Sequence, residues 1–219
     1  MNVTAQTVFI VDDSREVRVG LSRLLTAAGY RVRAFESAED FLAEQDAEDA
    51  GCLLLDVCMP NLSGLELQRA LTCSRSARPI VFLSGMGDVQ TGVEAMKEGA
   101  VDFLTKPVDG VKLFAAVEQA LRRDQELRLE GSIRNTIQQR LEILTPRELQ
   151  VMAQVIRGRL NKQIAADLGT GEKTVKVHRA RVMSKMMARS VAELVQLAAR
   201  VGVSIKPTPG GSSAQIIWK

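Results

Sequence analysis

The first 121 residues hold five short apolar runs, each closed by a polar residue and separated from the next by a segment with helical spacing, and few folds accommodate that order. The clearest run is Gly51-Cys-Leu-Leu-Leu-Asp56-Val-Cys-Met-Pro60. Residues 52–55 are apolar without alternation, as expected of a strand buried on both faces of a parallel sheet. Residues 7–11 form a β-rich run before Asp12-Asp13-Ser14, residues 30–35 alternate, residues 79–83 run into Ser84, and residues 100–104 lead into Thr105-Lys106-Pro107. Between them, Val17, Leu21, Leu24, Leu25 and Ala28 recur on one helical face up to Gly29, and Ser37 opens a helix that ends near the acidic stretch 44–49. Residues 64–71 and 89–98 continue the series, with Gly99 as the stop. Strands alternating with helices imply right-handed crossovers, hence an α/β doubly wound, five-stranded parallel sheet.

In such a sheet, ligands bind at the carboxyl ends of the strands. Those ends carry Asp12 and Asp13, Asp56, Ser84 and Lys106. Taken singly, each has an ordinary explanation: a helix cap, a turn residue, a solvated lysine. Together they place three carboxylates on one rim, where they repel unless a hard cation such as Mg²⁺ sits among them. A lysine and a hydroxyl opposite them suit phosphate oxygens. The set reads as a phosphoryl-accepting site with Asp56, alone on its strand, as the nucleophile.

The motifs Val11-Asp12-Asp13, Leu55-Asp56-Val57-Cys58-Met59-Pro60, Ser63-Gly64, Phe82-Leu83-Ser84-Gly85, Gly99-Ala100 and Phe103-Leu104-Thr105-Lys106-Pro107 resemble those of two-component response regulator receiver domains, which have a flavodoxin-like fold. The resemblance covers residues 7 to about 121 and implies Asp56 as phosphoacceptor. It also implies Mg²⁺ as cofactor, with Asp13, Asp56 and the Cys58 carbonyl as ligands and Asp12 acting through water. Ser84 and Phe103 would be switch residues and Lys106 the phosphate-binding lysine, with a cis Lys106-Pro107 bond. Phe103 is equally readable as strand core, and Ser84 replaces the more usual threonine. The phosphoryl donor would be a sensor histidine kinase, because the chain's single histidine, His178, lies far away in the other half. The face from Gly85 to Phe103, with the fifth helix, is the expected homodimer interface after phosphorylation.

The net charge of +3 conceals an asymmetry: residues 1–121 carry 11 Lys/Arg against 18 Asp/Glu, and residues 122–219 carry 18 against 8. A basic second half invites a nucleic-acid partner. Three cysteines without paired spacing indicate neither a disulfide framework nor a zinc site. With no leader and no apolar window of membrane-spanning length, a cytoplasmic location and no membrane partner are expected.

From residue 111 to 141 apolar residues recur near helical spacing, broken by Gly131-Ser132, so residues 122–142 read as a helical linker of one helix or two in tandem. Thr145-Pro146-Arg147-Glu148 then starts a helix with an N-cap, a first-position proline and a capping-box glutamate. Further helices are expected over residues 161–168, from about 172 to 187, and after Ser190. The small-residue helix, glycine turn and basic helix follow helix-turn-helix grammar, with Lys173, Lys176, Arg179, Arg181 and Lys185 as charges and Val177 as an apolar base contact. Leu144-Thr-Pro-Arg-Glu148, Asn161-Lys162-Gln163-Ile164-Ala165 and Thr174-Val175-Lys176-Val177-His178-Arg179 closely resemble the LuxR-type domain, and the whole order resembles the NarL/FixJ class of response regulators. That resemblance implies binding to double-stranded DNA, with base contacts from Lys176 and Val177 and phosphate contacts from Thr174, Arg179, Arg181 and Lys162. The usual serine before the recognition helix is replaced here by Thr170-Gly171. The expected organisation is a receiver at 1–121, the linker, a small all-α helix-turn-helix domain at 143–203, and a disordered Pro/Gly/Ser-rich tail at 204–219.

The chain is accordingly expected to be a non-enzymatic transcription regulator acting on the transcription machinery. One alternative is a DNA-binding regulator independent of phosphorylation. Another is an aspartyl-phosphate phosphatase, disfavoured because Cys58 stands where such enzymes carry a second carboxylate.

Overall fold

The computed structural model describes residues 6–44, 49–73, 78–85 and 89–202, and the backbone of 204–207 and 214–217. Two compact units divide at Arg128 and Leu129.

In the first unit, β1 (Thr7–Val11), β2 (Arg31–Phe35), β3 (Gly51–Asp56), β4 (Ile80–Ser84) and β5 (Asp102–Thr105) form one parallel sheet in the order β2-β1-β3-β4-β5. The connecting helices are α1 (Arg15–Ala27), α2 (Ala38–Glu44), α3 (Gly64–Cys73) and α4 (Val89–Lys97), followed by α5 (Gly110–Glu142). The unbroken apolar runs are explained by two cores. Phe9, Val11, Leu53, Leu55 and Phe82 face Phe41, Leu67, Leu71 and Ala95 from α2, α3 and α4. Val8, Ile10, Cys52, Leu54, Val81 and Leu83 face Leu21, Leu25, Leu113 and Val117 from α1 and α5. A strand covered on both sides has no polar face to alternate with. At the start of β3, only glycine fits at position 51, where φ is +151° and a Cβ would lie 1.8 Å from the Thr7 carbonyl oxygen.

The strand order reverses between β1 and β3: the chain steps from β1 to β2 on one side and from β3 through β4 to β5 on the other. That reversal opens a crevice at their carboxyl ends, where Asp12, Asp13 and Asp56 stand. β5 begins two residues later than the apolar run suggests: the Ala100 N–H still closes the turn after α4 on the Ala95 carbonyl, and the Val101 N–H bonds the Ile80 carbonyl at the start of β4.

The connector is one continuous helix through Gly131 and Ser132. Its start belongs to the first unit: Asp124 is buried, accepts the Gly51 N–H at 3.0 Å and receives Arg128 Nε on both carboxylate oxygens. Ile137 and Leu141 instead join the core of the second unit.

That second unit packs α6 (Pro146–Ile156), α7 (Asn161–Asp167), α8 (Glu172–Met186) and α9 (Val191–Arg200) around Val151, Met152, Ile164, Val175, Val182, Met186 and Leu194. The capping box at Thr145 forms as expected, with Glu148 N–H donating to the hydroxyl and Thr145 N–H to the carboxylate. The buried Glu148 carboxylate also accepts Lys185 Nζ at 2.7 Å. Lys185 is therefore not one of the outward charges expected of this helix. Within the segment expected to be disordered, the described backbone of β6 (Ser204–Pro207) and β7 (Ala214–Ile217) pairs antiparallel. The rest of that tail lies outside the described residues.

Lys185, then the Thr145 N–H, pull the Glu148 pKa down to about 2 from an ordinary 4.5. A carboxylate depressed by folding contributes stability above its unfolded value and loses it as pH falls toward its folded one. Full-chain thermal melts should therefore lose stability of the second unit between pH 4.5 and 2, and Glu148→Gln should flatten that slope. Thr145→Ala should cost about 1 kcal/mol at neutral pH, as loss of an N-cap does.

Candidate functional site

β1 and β3 end side by side, so the buried Asp12 and Asp56 meet, and the exposed Asp13 completes a group whose carboxylate oxygens lie within 4.8 Å of one another. Each reaches the rim because the preceding residues are locked in the sheet, Val11 beside Leu55 and Asp56 beside Leu83. Lys106, delivered by the end of β5, places Nζ 2.7 Å from Asp12 Oδ2 and 3.0 Å from Asp56 Oδ1. The Lys106-Pro107 peptide is cis.

Burial pushes the Asp56 carboxyl above its ordinary pKa, the Lys106 bond opposes it, and the charges of Asp12 and Asp13 reinforce it. Burial acts to lower the Lys106 ammonium, but its bonds to Asp12 and Asp56 outweigh that and raise it. The pocket holds more negative than positive charge and offers only oxygen ligands, the donor set a hard divalent cation takes. The Cys58 carbonyl, in the loop after β3, accepts no hydrogen bond among the described residues, so the residues present fit Mg²⁺. Gly64 lets the following helix close over this loop, since a Cβ there would stand 2.3 Å from the Asp56 carbonyl oxygen.

Ser84 is buried at the end of β4, its hydroxyl donating to the Gly85 carbonyl at 3.1 Å. Phe103 is half-buried against the core that contains Phe82, with ring centroids 6.4 Å apart. Asp12, Asp13, Asp56 and Lys106 thus form one site, with Ser84 on the strand beside Asp56 and Phe103 on the next strand outward. Arg18 was not anticipated. Its guanidinium donates to the Asp12 carbonyl at 2.7 Å and the Asp13 carbonyl at 2.9 Å, and to Glu36 at 3.0 Å. A basic residue one turn into α1 resembles any solvated helix charge, and no spacing rule links it to main-chain oxygens.

In the second unit, Gly169 in a left-handed conformation and Gly171 as N-cap form the turn between α7 and α8. Val175, Val182 and Met186 bury one side of α8, leaving Lys173, Thr174, Lys176, Val177 and Arg181 exposed on the rest. Lys162 is exposed on α7. Arg179 is half-buried and donates to Asn161 Oδ1 at 3.1 Å. With Gly171 at the cap, no side chain caps the first turn of α8, so its N–H groups remain open to an anion. His178 is half-buried. Among the described residues, no helix is long and apolar enough to cross a membrane.

Comparison with known proteins agrees with both units. A model described as the response regulator receiver domain matches residues 8–118, and one described as bacterial regulatory proteins, luxR family, matches residues 142–198. Nodulation protein W of Bradyrhizobium diazoefficiens is 42% identical over 205 residues, spanning 94% of this chain and 90% of that protein. The transcriptional regulatory protein FixJ of the same organism is 41% identical over 196 residues, spanning 90% and 96%. The solved structure of the response regulator StyR superposes with a TM-score of 0.79 at 45% identity, covering 90% of this chain and all of that one. A crevice of carboxylates and lysine at the switch point of a five-stranded parallel sheet, joined to a helix-turn-helix unit, makes this chain a member of the response regulators that couple a receiver domain to a LuxR-type DNA-binding domain.

Proposed function

We propose that this response regulator is switched by phosphorylation of Asp56. The observation that carries the reading is the pairing of one buried carboxylate, Asp56, with a lysine and two further carboxylates at a single rim. A carboxylate oxygen of Asp56 attacks the phosphorus of a phosphohistidine on a sensor kinase. The new P–O bond forms as the P–N bond breaks, and the departing imidazole nitrogen takes up a proton. Asp13, Asp56 and the Cys58 carbonyl, with Asp12 through water, are the groups that would hold Mg²⁺. When bound, that ion supplies positive charge opposite the transferring phosphoryl oxygens. Lys106 binds another phosphoryl oxygen, exchanging its bond to Asp56 for one to the product, and beforehand that bond opposes the upward push of burial on the Asp56 carboxyl.

The Ser84 hydroxyl, which rests on the Gly85 carbonyl, turns to the phosphoryl group, and Phe103 moves into the space it vacates. The surface formed by α4, β5 and α5 then pairs two copies. Its exposed apolar residues Val93 and Met96 on α4, and Val111 on α5, support that choice. Paired second units would place two copies of α8 in successive major grooves of double-stranded DNA. Lys176 and Val177 read bases there, while Thr174, Arg179, Arg181 and Lys162 hold phosphates. The bound dimer acts on transcription through the transcription machinery. A phosphatase reading finds no support, because the residue two positions after Asp56 is the exposed thiol of Cys58.

Incubation with acetyl phosphate and Mg²⁺ should add one phosphoryl mass to the intact chain, and Asp56→Asn should abolish it; an unmodified wild type would refute the proposal. Mg²⁺ at a hundredfold its Kd should stabilise the first unit by about 2.7 kcal/mol, an increment that Asp13→Asn should remove. In DNA titrations, Lys176→Ala should cost about 1–3 kcal/mol and relax sequence preference. Arg181→Ala should weaken binding evenly across sequences and lower the salt slope by about 1.

A further inference from the structure

We infer that Arg18 is a positioning residue for the acidic pair, setting Asp12 and Asp13 in the geometry that captures the divalent cation. This rests on the metal-site reading above.

The two peptide groups that flank the Asp13 Cα are those carrying the Asp12 and Asp13 carbonyls. One nitrogen of Arg18, Nη1, donates to both, at 2.7 and 2.9 Å. With both flanking peptides fixed, the φ and ψ of Asp13 are fixed too, and with them the direction in which its side chain leaves the backbone. That matters because the Asp13 carboxylate is exposed and accepts no hydrogen bond among the described residues. Its placement comes from the main chain.

The same clamp reaches Asp12 by another route. The peptide whose carbonyl belongs to Asp13 presents the Ser14 N–H on its other edge, and that N–H donates to Asp12 Oδ1 at 2.9 Å. Asp12 Oδ2 is meanwhile held by Lys106. The Asp12 carboxylate is thus gripped between Lys106 and a peptide that Arg18 orients.

Arg18 suits this role because its fork is itself anchored. Nη2 bonds Glu36, 18 positions away, just past the end of β2, and the Arg18 side chain is only 13% exposed. Glu36 also offsets a positive charge that would otherwise oppose a cation nearby. A planar guanidinium holding three oxygens at once is a task an ammonium performs poorly. Residues that orient metal ligands without touching the metal typically contribute 10- to 100-fold in affinity, roughly the range expected here.

The test is isothermal titration of Mg²⁺ into the full chain as wild type, Arg18→Gln, Arg18→Lys and Asp13→Asn, with amide hydrogen exchange on the same samples. Arg18→Gln should weaken Mg²⁺ binding about tenfold, Arg18→Lys should fall between it and wild type, and the Ser14 amide should exchange faster in both while residues 53–55 keep their protection. Equal affinity in wild type and both Arg18 variants overturns the inference. So does a loss of protection throughout β1 and β3, which would make Arg18 a merely structural residue. Asp13→Asn binding Mg²⁺ as tightly as wild type would instead overturn the metal-site reading on which the role depends.

Discussion

Lys106 sits between two buried carboxylates that the sheet forces together, and the site depends on that contact. Two like charges 4 Å apart cost about 4 kcal/mol at an effective dielectric of 20. The register of β1 against β3 leaves Asp12 and Asp56 no room to separate, and Asp13 adds a third charge at the edge. One ammonium neutralises part of this and leaves the pocket electron-rich. In the proposed cycle a cation would complete the balance, and a phosphoryl group, arriving with negative oxygens, would alter it again. A rim so close to balance responds strongly to a single added group, as a switch requires.

The sheet and its rim were legible because buried parallel strands carry a simple signature. Leu53 and Leu55 serve one core and Cys52 and Leu54 the other, so the run shows no alternation, and the first polar residue after it marks the strand's end. Asp12, Asp56 and Ser84 follow that rule, and Lys106 stands one residue beyond the end of β5. The role of Arg18 was not legible, because its partners are main-chain oxygens and a glutamate on another element, and neither leaves a trace in spacing. The exact start of β5 is obscured for a related reason: Ala100 is apolar like a strand residue, but its N–H closes the turn after α4 on the Ala95 carbonyl.

The helical half shows a similar division. Capping chemistry is local, so Thr145, Pro146 and Glu148 announced α6 correctly. Lys185 belongs by periodicity to a basic helix, yet it lies on the flank that meets α6, where the buried Glu148 claims it. Local pattern shows that a residue is charged; only tertiary packing shows whether the charge is spent inside.

In the proposed cycle, the state of Asp56 governs what α8 does on DNA. The most direct measurement is equilibrium binding of the full chain to a cognate duplex, at fixed salt, before and after conversion of Asp56 to its phosphorylated form, with Asp56→Asn alongside. Tighter and more cooperative binding is expected only for the phosphorylated wild type. Equal affinity and equal cooperativity in all three samples would contradict it and leave a DNA-binding regulator that does not depend on phosphorylation.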